Sequence, residues 1–331
     1  MSRYLRYSLA IVLGWFCAAS VWLGAVKVET GAPTESSRWT YEVNTIKQQR
    51  AQSSQSPKTV VLGGSNVHFG VRAELIAAAT GRPAINMGTL ASLEMPYILG
   101  WAQGSIKPSD TVLLIFEYEL YADTALPNGV FVDYVFARDQ QYLKTLAPAE
   151  QVGLMLSMRP DRLVEGIRAA ILPPRGLTSG YQAATTDAFG DETVNTEATR
   201  TPAQIETLRS IRPLATLLNG LPSDSVAWHE LSRFISWCHA NDVTVIATFP
   251  ATVDFAEYRR PRAQSVFTTI RQFYAQQGVP LLGTAGDFMY DWSSFYDTQY
   301  HLLDRDARAN TARLIGLARP YLGGTPARAA Q

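Results

Sequence analysis

Five short runs of apolar residues constrain the fold of this chain more than any other feature of its sequence. They are Thr59–Leu62, Ala84–Met87, Thr111–Phe116, Val243–Phe249 and Val279–Leu282. Apolar runs of this length are typical of strands buried on both faces of a parallel sheet. Helix-like segments separate them. The sequence therefore predicts an α/β fold, a three-layer sandwich around a mainly parallel five-stranded sheet.

The composition excludes several classes of protein. Of the 331 residues, 47% are hydrophobic, which is too many for a disordered chain. Lys and Arg together number 29, as do Asp and Glu, so the net charge is zero and no basic surface for nucleic acid is indicated. Two cysteines, Cys17 and Cys238, and four histidines show no metal-ligand spacing. We therefore expect no metal, no other cofactor and no nucleic-acid partner.

The N-terminal segment predicts a membrane anchor. Ser8–Val26 carries no charged residue, and as a helix it would span roughly 28 Å, close to the hydrocarbon thickness of a bilayer. Arg3 and Arg6 precede it, so the rest of the chain should lie on the periplasmic side of the inner (cytoplasmic) membrane. We assign residues 1–28 to a single-pass anchor. A cleaved signal peptide is the alternative, although its apolar region is usually shorter.

The remaining chain divides into a linker and one large domain. Residues 29–58 are polar and predict a stalk, with a short helix near Tyr41–Gln52. Residues 59–331 form the predicted catalytic domain, interrupted by a helical and loop insertion at 121–224. An insertion this long usually forms a lid, a substrate wall or a docking surface, the alternative being an excursion without a role. Helices are expected within it at Gln140–Ser157, Asp161–Ile171 and Pro202–Leu218.

A serine follows the first apolar run, in the sequence Gly63-Gly64-Ser65-Asn66. Open α/β sheets place their sites at the carboxyl ends of the strands, so Ser65 should face that crevice. The two glycines permit a tight turn and close approach of a substrate. The same turn lacks the spacing of a dinucleotide or phosphate loop. Ser65 is therefore a candidate nucleophile.

A loop after the last apolar run carries the partner residues that a serine nucleophile needs. It contains Asp297, Tyr300 and His301. A histidine here would reach over the sheet edge to accept the Ser65 proton, while an acid orients its other nitrogen. The aromatic residues Phe295 and Tyr300, with Tyr296 between them, either stack on sugar rings or pack the loop against the core. His68, three residues after Ser65, points along the following helix or into the crevice.

This pattern resembles the SGNH (GDSL-like) hydrolase superfamily. Ser65 matches the first-block nucleophile, and Asp297 and His301 match the last-block acid and base. Gly88, which follows the second run, matches the glycine whose amide helps to form the oxyanion hole. The resemblance covers Val60–Leu322 apart from the insertion, and implies the flavodoxin-like arrangement of that superfamily. It looks most like the membrane-anchored members that acylate cell-surface polymers, such as the D-alanyl transfer protein of teichoic acid systems and the acetyltransferases of alginate-type exopolysaccharides.

The resemblance also implies a reaction and two partners. Ser65 would carry the acyl group and pass it to a hydroxyl of a polysaccharide acceptor. A multi-pass membrane O-acyltransferase would supply the acyl group from across the membrane. The anchor and the stalk are similar to those of this subgroup.

The last block departs from the family pattern. It is usually D-x-x-H, whereas three residues separate Asp297 from His301. Asp297 remains the orienting acid if the loop is not helical. Asp291, Asp304 or a backbone carbonyl is the alternative.

The third block also departs from the family pattern. Its usual Asn, an oxyanion donor, is absent, and Glu117 and Glu119 follow the third run instead. The oxyanion hole would then rest on the amides of Ser65 and Gly88, with the Asn66 side chain as a further donor. The two glutamates could alternatively form a paired-carboxylate site, although one glutamate lining the crevice beside a solvated neighbour is the simpler expectation.

Three functions agree with these residues. The first is an extracytoplasmic O-acyltransferase. It would transfer an acetyl group to a secreted or cell-surface polysaccharide through an acyl-enzyme on Ser65. The second is an esterase or polysaccharide deacetylase, in which water attacks the same intermediate. The third is a non-catalytic assembly or polymer-binding component, which the two departures from the family pattern favour.

Overall fold

The structure is a computed structural model that describes residues 3–122, 127–172, 181–222 and 224–322. The chain forms two compact units. The smaller unit comprises Met1–Tyr41 and Leu126–Gly180, and the larger comprises Glu42–Ala125 and Tyr181–Gln331. Parts of the predicted insertion (123–126, 173–180 and 223) and of the predicted domain (323–331) lie outside the described residues.

A five-stranded sheet forms the centre of the larger unit. Its strand order is β2-β1-β3-β4-β6, and every neighbouring pair is parallel. The first three strands are completely buried, as expected for Val-, Ile- and Leu-rich strands covered on both faces. Its strands are β1 (Thr59–Gly63), β2 (Ala84–Gly88), β3 (Thr111–Ile115), β4 (Thr244–Thr248) and β6 (Leu281–Leu282). The predicted α/β fold with a five-stranded parallel sheet is confirmed.

A second, two-stranded parallel sheet was not predicted. It pairs β5 (Thr252–Val253) with β7 (Met289–Tyr290). Each strand has only two residues, too few for a periodic pattern to appear in the sequence.

Helices of the larger unit pack in two groups around the central sheet. One group joins α3, α4 and α14, and the other joins α5 and α12. The crossovers from β1 to β2 and from β2 to β3 run in opposite directions along the sheet, so right-handed connections place the two groups on opposite faces. The helices are α2 (Arg38–Ser53), α3 (Ser65–Gly70), α4 (Ala73–Thr80), α5 (Met95–Gln103), α10 (Pro202–Ser210), α11 (Ala215–Asn219), α12 (Val226–Ala240), α13 (Pro261–Gln276) and α14 (Asp304–Leu322).

The smaller unit begins with the apolar helix α1. This helix is long and apolar enough to cross a membrane, with a mean hydropathy of 2.1 in its most apolar window. Most of its side chains are exposed, and burial begins near its C-terminal end. The membrane concerned and the orientation of the helix stay predictions. The helices of this unit are α1 (Arg3–Glu29), α6 (Gly129–Arg138), α7 (Gln140–Thr145), α8 (Pro148–Ser157) and α9 (Pro160–Ile171).

The polar segment predicted as a stalk at residues 29–58 differs from that expectation. The helix anticipated near Tyr41–Gln52 is present as the longer α2. One face of α2 is buried, because Val43, Lys47 and Ala51 recur at helical spacing and are covered. From Glu42 onward this segment belongs to the larger compact unit. The polar composition of α2 does not make this face solvent-exposed, because the buried Lys47 forms hydrogen bonds inside the protein.

Candidate active site

Ser65 lies where the first strand passes into a helix. β1 ends at Gly63 and α3 begins at Ser65, so the side chain is at the carboxyl edge of the sheet, as predicted. Both glycines before it are required by close packing. A Cβ on Gly63 would overlap the Ile115 carbonyl, and one on Gly64 would overlap the Glu117 carboxylate. The Gly-Gly pair therefore lets the β1 turn close onto the end of β3.

Glu117 binds the turn that carries Ser65. Its Oε2 accepts the Gly64 N–H at 3.1 Å, and its Oε1 accepts the Asn66 N–H at 2.9 Å. The Ser65 hydroxyl donates to the same Oε1 at 3.3 Å. Burial raises the pKa of Glu117 to about 7, against the opposing effect of the Asn66 amide and the Ser65 hydroxyl. Glu117 is thus a buried carboxyl that changes charge near neutral pH while touching the candidate nucleophile.

Asp297 and His301, predicted from the sequence as an acid and a base, lie in hydrogen-bond contact. The His301 Nδ1 lies 2.7 Å from Asp297 Oδ1. Tyr181 donates its hydroxyl to Asp297 Oδ2. Burial alone would raise the pKa of Asp297, but the hydrogen bonds from His301 and Tyr181 outweigh it and hold that pKa below its usual range. The ionised Asp297 then requires a proton on Nδ1, which leaves Nε2 as the basic nitrogen.

The loop that holds this pair is closed by backbone contacts. Phe295 and Leu302 form an antiparallel bridge, and the Tyr296 N–H donates to the His301 carbonyl at 2.6 Å. Asp297 and His301 therefore meet across a closed loop, which accommodates the three residues between them.

The alternative acids are engaged elsewhere. The Asp291 side chain accepts the Ser293 N–H, and Asp304 binds Arg72 and Arg308. Of the candidate acids, it is Asp297 that contacts the ring of His301.

His301 lies against the same helix face as Ser65. Its ring stacks on Phe69, with centroids 4.0 Å apart and planes inclined by 17°. Ser65 and Phe69 are four residues apart on α3, so their side chains are neighbours on one face. In the described part of the chain the Ser65 hydroxyl is bonded to Glu117 and not to His301. Catalytic hydrogen bonds are often unmade in the absence of substrate, and a turn of the Ser65 side chain would be needed to form this one.

A cavity of about 290 Å³ opens beside Ser65. Tyr300, next to His301 in sequence, donates its hydroxyl to Glu119 at 2.6 Å on the cavity wall. Burial raises the pKa of Glu119. Glu117 and Glu119 both line the cavity, whereas a single lining glutamate was the simpler expectation. The lining residues are Ser65, Ala91, Ser92, Glu94, Glu117, Glu119, Leu120 and Tyr300.

The aromatic residues of the last loop are buried. Phe295 is fully covered, and Tyr296 and Tyr300 are 8% exposed. Phe295 packs in a cluster with Leu302, and Tyr296 packs with Phe69. Phe295 and Tyr296 therefore pack the loop against the core, while Tyr300 also lines the cavity.

The two other predicted oxyanion donors are bonded within the protein. The Gly88 N–H donates to Asn86 Oδ1 at 2.9 Å, and a Cβ on Gly88 would overlap α3 at Val67. The Asn66 side-chain amide donates to the Ile115 carbonyl at 3.1 Å. Gly88 thus brings β2 close to α3, and the roles of Gly88 and Asn66 in an oxyanion hole stay predictions.

A cluster of buried polar side chains surrounds His68 of α3, and the sequence does not predict it. Lys47 Nζ donates to the Gly88 carbonyl at 2.6 Å and lies 2.8 Å from His68 Nδ1. His68 Nε2 is 3.3 Å from Glu192 Oε2. Burial, followed by the charge of Lys47, lowers the pKa of His68 to about 4. His68 is therefore part of this internal cluster and lies outside the cavity lining.

The described residues include no group of three or more His, Cys, Asp or Glu side chains arranged to hold a metal ion. The carboxyls at the cavity are already hydrogen bonded: Glu117 to the β1 turn and Glu119 to Tyr300. The side chains near the N-terminus of α3 are suited to proton transfer. They are the Ser65 hydroxyl, His301 paired with Asp297, and Glu117, whose pKa of about 7 allows it to be neutral.

Comparison with known proteins gives no further assignment. No protein-family model matches this chain, and no curated protein matches it.

Proposed function

We propose that this protein is a membrane-anchored serine O-acyltransferase of the SGNH type, acting on a polysaccharide hydroxyl outside the cytoplasm. The observation that carries the proposal is the Asp297–His301 pair stacked on Phe69, one helical turn from Ser65. The strand order β2-β1-β3-β4-β6 also supports it, because doubly wound sheets with an order of this kind bind their ligands at the carboxyl ends of the strands.

The first half-reaction forms an ester on Ser65. The Ser65 hydroxyl leaves Glu117, turns toward His301 and gives its proton to Nε2 while Oγ attacks the acyl carbonyl. Asp297 stabilises the resulting imidazolium through Nδ1. As the tetrahedral intermediate collapses, the bond to the donor's leaving group breaks and His301 returns the proton to it.

The second half-reaction transfers the acyl group. A sugar hydroxyl in the cavity gives its proton to His301 and attacks the Ser65 ester. Collapse of this second intermediate breaks the bond to Ser65 Oγ, which recovers the proton from His301. The product is the acylated polymer and free Ser65, so no oxidant, metal or further reactant is required.

Glu117 must be neutral during these steps. In the resting structure its Oε1 lies 3.3 Å from Ser65 Oγ, and a carboxylate in the neighbourhood of a developing oxyanion would oppose it. As a carboxylic acid, Glu117 can instead donate a hydrogen bond to that oxyanion. This role would replace the third-block donor that the sequence lacks.

The acyl donor and the membrane arrangement come from the family resemblance. A multi-pass membrane O-acyltransferase would deliver the acyl group, since acyl thioesters of the cytosol do not reach the periplasmic face. The α1 helix would hold the catalytic domain beside that partner. Arg3 and Arg6, which precede the uncharged segment Ser8–Val26 within α1, support this orientation.

Two other functions remain as candidates. The cavity of about 290 Å³ beside Ser65 has room for water, and water attacking the same ester would make the protein an esterase or deacetylase. The bond from Ser65 to Glu117, and not to His301, favours a non-catalytic assembly or polymer-binding component.

Acylation of the intact protein tests all three. The full chain in detergent is incubated with an activated acetyl ester, quenched in acid and weighed, beside Ser65→Ala and His301→Ala variants. Ser92→Ala is the matched control, because Ser92 lines the same cavity. We expect one acetyl group on Ser65 in the wild type and Ser92→Ala, and a loss of turnover of about a thousandfold or more in the other two.

The fate of the adduct separates the functions. Faster loss in the presence of an oligosaccharide, with an acetylated sugar as product, indicates a transferase. Loss at the same rate with acetate as product indicates an esterase. If Ser65 is never acetylated and no turnover occurs, the catalytic proposal is wrong.

A further inference from the structure

Two helices of the smaller unit expose apolar side chains to solvent. In α8, Val152 and Leu156 are 43% and 59% exposed, and in α9, Val164 and Ile171 are 67% and 75% exposed. No ionisable residue occurs from Gln151 to Met158. Exposed apolar faces of this kind mark contact with a membrane or another protein.

The opposite faces of these helices are held inside the unit. Leu154 of α8 is buried, as is Arg162 of α9. Arg162 forms ion pairs with Glu29, at the end of α1, and with Asp133, 2.7 Å away. The outward direction of the apolar side chains therefore follows from fixed inner contacts.

A hydrogen bond fixes the position of α8 along the axis of α1. The Trp22 Nε1 donates to the Met155 carbonyl at 2.8 Å. Trp22 lies inside the uncharged segment Ser8–Val26, about 6 Å before its end along the helix axis. When α1 crosses a bilayer, Met155 and its neighbours in α8 consequently lie at the depth of the apolar segment.

The helix α9 contacts α1 nearer to the C-terminal end of α1. Arg162 binds Glu29, which follows Trp22 by about 10 Å of helix rise. This places the Arg162 turn of α9 near the headgroup level, where amphipathic helices settle with their apolar side toward the acyl chains.

We propose that α8 and the exposed face of α9 (Val164 to Ile171) are embedded in the lipid bilayer beside α1, as a second attachment to the membrane. The occupant of this surface is lipid, because the apolar surface of α1 continues directly into that of α8 through the Trp22–Met155 contact. The proposal depends on α1 crossing the membrane and is independent of any chemistry at Ser65. A protein partner covering the same face is the competing outcome.

Site-specific fluorescence of the full chain in vesicles tests this arrangement. Cys17→Ala removes the exposed cysteine and leaves the buried Cys238. Single cysteines then replace Val152, Leu156, Val164 and Ile171, and carry a fluorophore sensitive to polarity. The vesicles contain phosphatidylcholine and phosphatidylglycerol, with and without lipids that bear a nitroxide quencher on the acyl chain.

Two controls calibrate the probes. Val21→Cys, exposed on α1, reports the hydrocarbon, and Lys144→Cys, exposed on α7, reports water. We expect a blue-shifted emission at the four test positions and quenching by lipid nitroxides about twofold or more above that at position 144.

Two outcomes would overturn the proposal. Water-like emission without quenching at the four positions, while position 21 is quenched, would show that the face is left for a protein partner. Absence of quenching at position 21 would show that α1 does not cross the bilayer. Neither outcome bears on acylation of Ser65, which is measured separately by mass.

Discussion

The Ser65 hydroxyl donates to Oε1 of Glu117 across 3.3 Å, and this bond ties the candidate nucleophile to a buried carboxyl. The same carboxyl holds the Gly64 and Asn66 amides. In the proposed reaction an ionised Glu117 accepts the Ser65 hydroxyl more strongly than a neutral one, and so competes with His301 for it. The charge of one glutamate therefore couples the resting position of Ser65 to pH.

We predict that activity falls as the pH rises through about 7, where Glu117 ionises. In the pH dependence of kcat/KM this ionisation should appear as a falling limb toward alkaline pH. Glu119, Glu94 and the phenols of Tyr300 and Tyr121 surround Glu117. Burial raises the pKa of both phenols well above the usual range, so they stay neutral, and a charged Glu119 would oppose the ionisation of Glu117 further.

Glu117→Gln should remove the falling limb, because a glutamine stays neutral at every pH. The measurement is kcat/KM for an acetyl ester between about pH 5 and pH 9, which brackets the ionisation of Glu117 at about 7. Glu119→Gln is the matched control, since Glu119 binds Tyr300 and lines the same cavity. A falling limb that persists in Glu117→Gln, or disappears in Glu119→Gln, would assign it to another group.

Tyr181 should act as a positioning residue for His301. Its hydroxyl donates to Asp297 Oδ2, so Tyr181→Phe removes one of the bonds that keep Asp297 ionised. A net loss of about 1 kcal/mol corresponds to a decrease of about fivefold in kcat, with little change in KM. Tyr296→Phe is the control, because Tyr296 packs on the same Phe69 ring without binding Asp297. Equal losses in both variants would contradict this role.

Gly64→Ala should disrupt both the fold and the site. The added Cβ overlaps the Glu117 carboxylate, and displacing that carboxyl leaves the Asn66 amide without its acceptor. We expect a loss of roughly 2 kcal/mol in the free energy of unfolding. Gly100→Ala is the control: Gly100 is in α5 with open space around it, so the change should stabilise the protein by up to about 1 kcal/mol. Thermal unfolding of both variants checks the contrast.

Much of the fold follows from local sequence pattern. The buried strands are apolar because both faces of the sheet are covered, so their runs appear in the sequence directly. The end of the first apolar run predicts Ser65, and the loop after the last run, with the family resemblance, predicts Asp297 and His301. Their geometry agrees with that prediction in the Asp297–His301 contact.

The remaining site residues have no such local signal. Tyr181 and Glu192 belong to a Pro- and Gly-rich segment without periodicity, and Lys47 belongs to a polar segment that resembles a linker. Each is placed by contacts with residues distant in sequence, such as Lys47 with Gly88. The contacts of Glu117 with the turn after β1 likewise arise because β1 and β3 are neighbours in the sheet. The sequence pattern does not predict these individual hydrogen bonds.

Burial of Lys47 should make the stability of the protein depend on alkaline pH. Desolvation lowers its pKa from 10.5 to about 7, although Asp191 and Glu192 oppose this. Between these two pH values the unfolded chain binds a proton that the folded protein does not. The free energy of unfolding should therefore rise with pH from about 7 toward 10 through this group, and reach a plateau above the unfolded pKa.

Lys47→Met should abolish that rise, because methionine does not titrate. It should also lower stability by about 2 kcal/mol at high pH, since the buried Gly88 carbonyl loses the Lys47 donor and Asn86 Oδ1 keeps only the Gly88 N–H. Lys58→Met is the matched control: Lys58 is equally buried but forms an ion pair with Asp110 at 2.6 Å. Urea unfolding of the three proteins between about pH 7 and pH 10 provides the measurement. If Lys47→Met retains the slope of the wild type, another group causes the pH dependence.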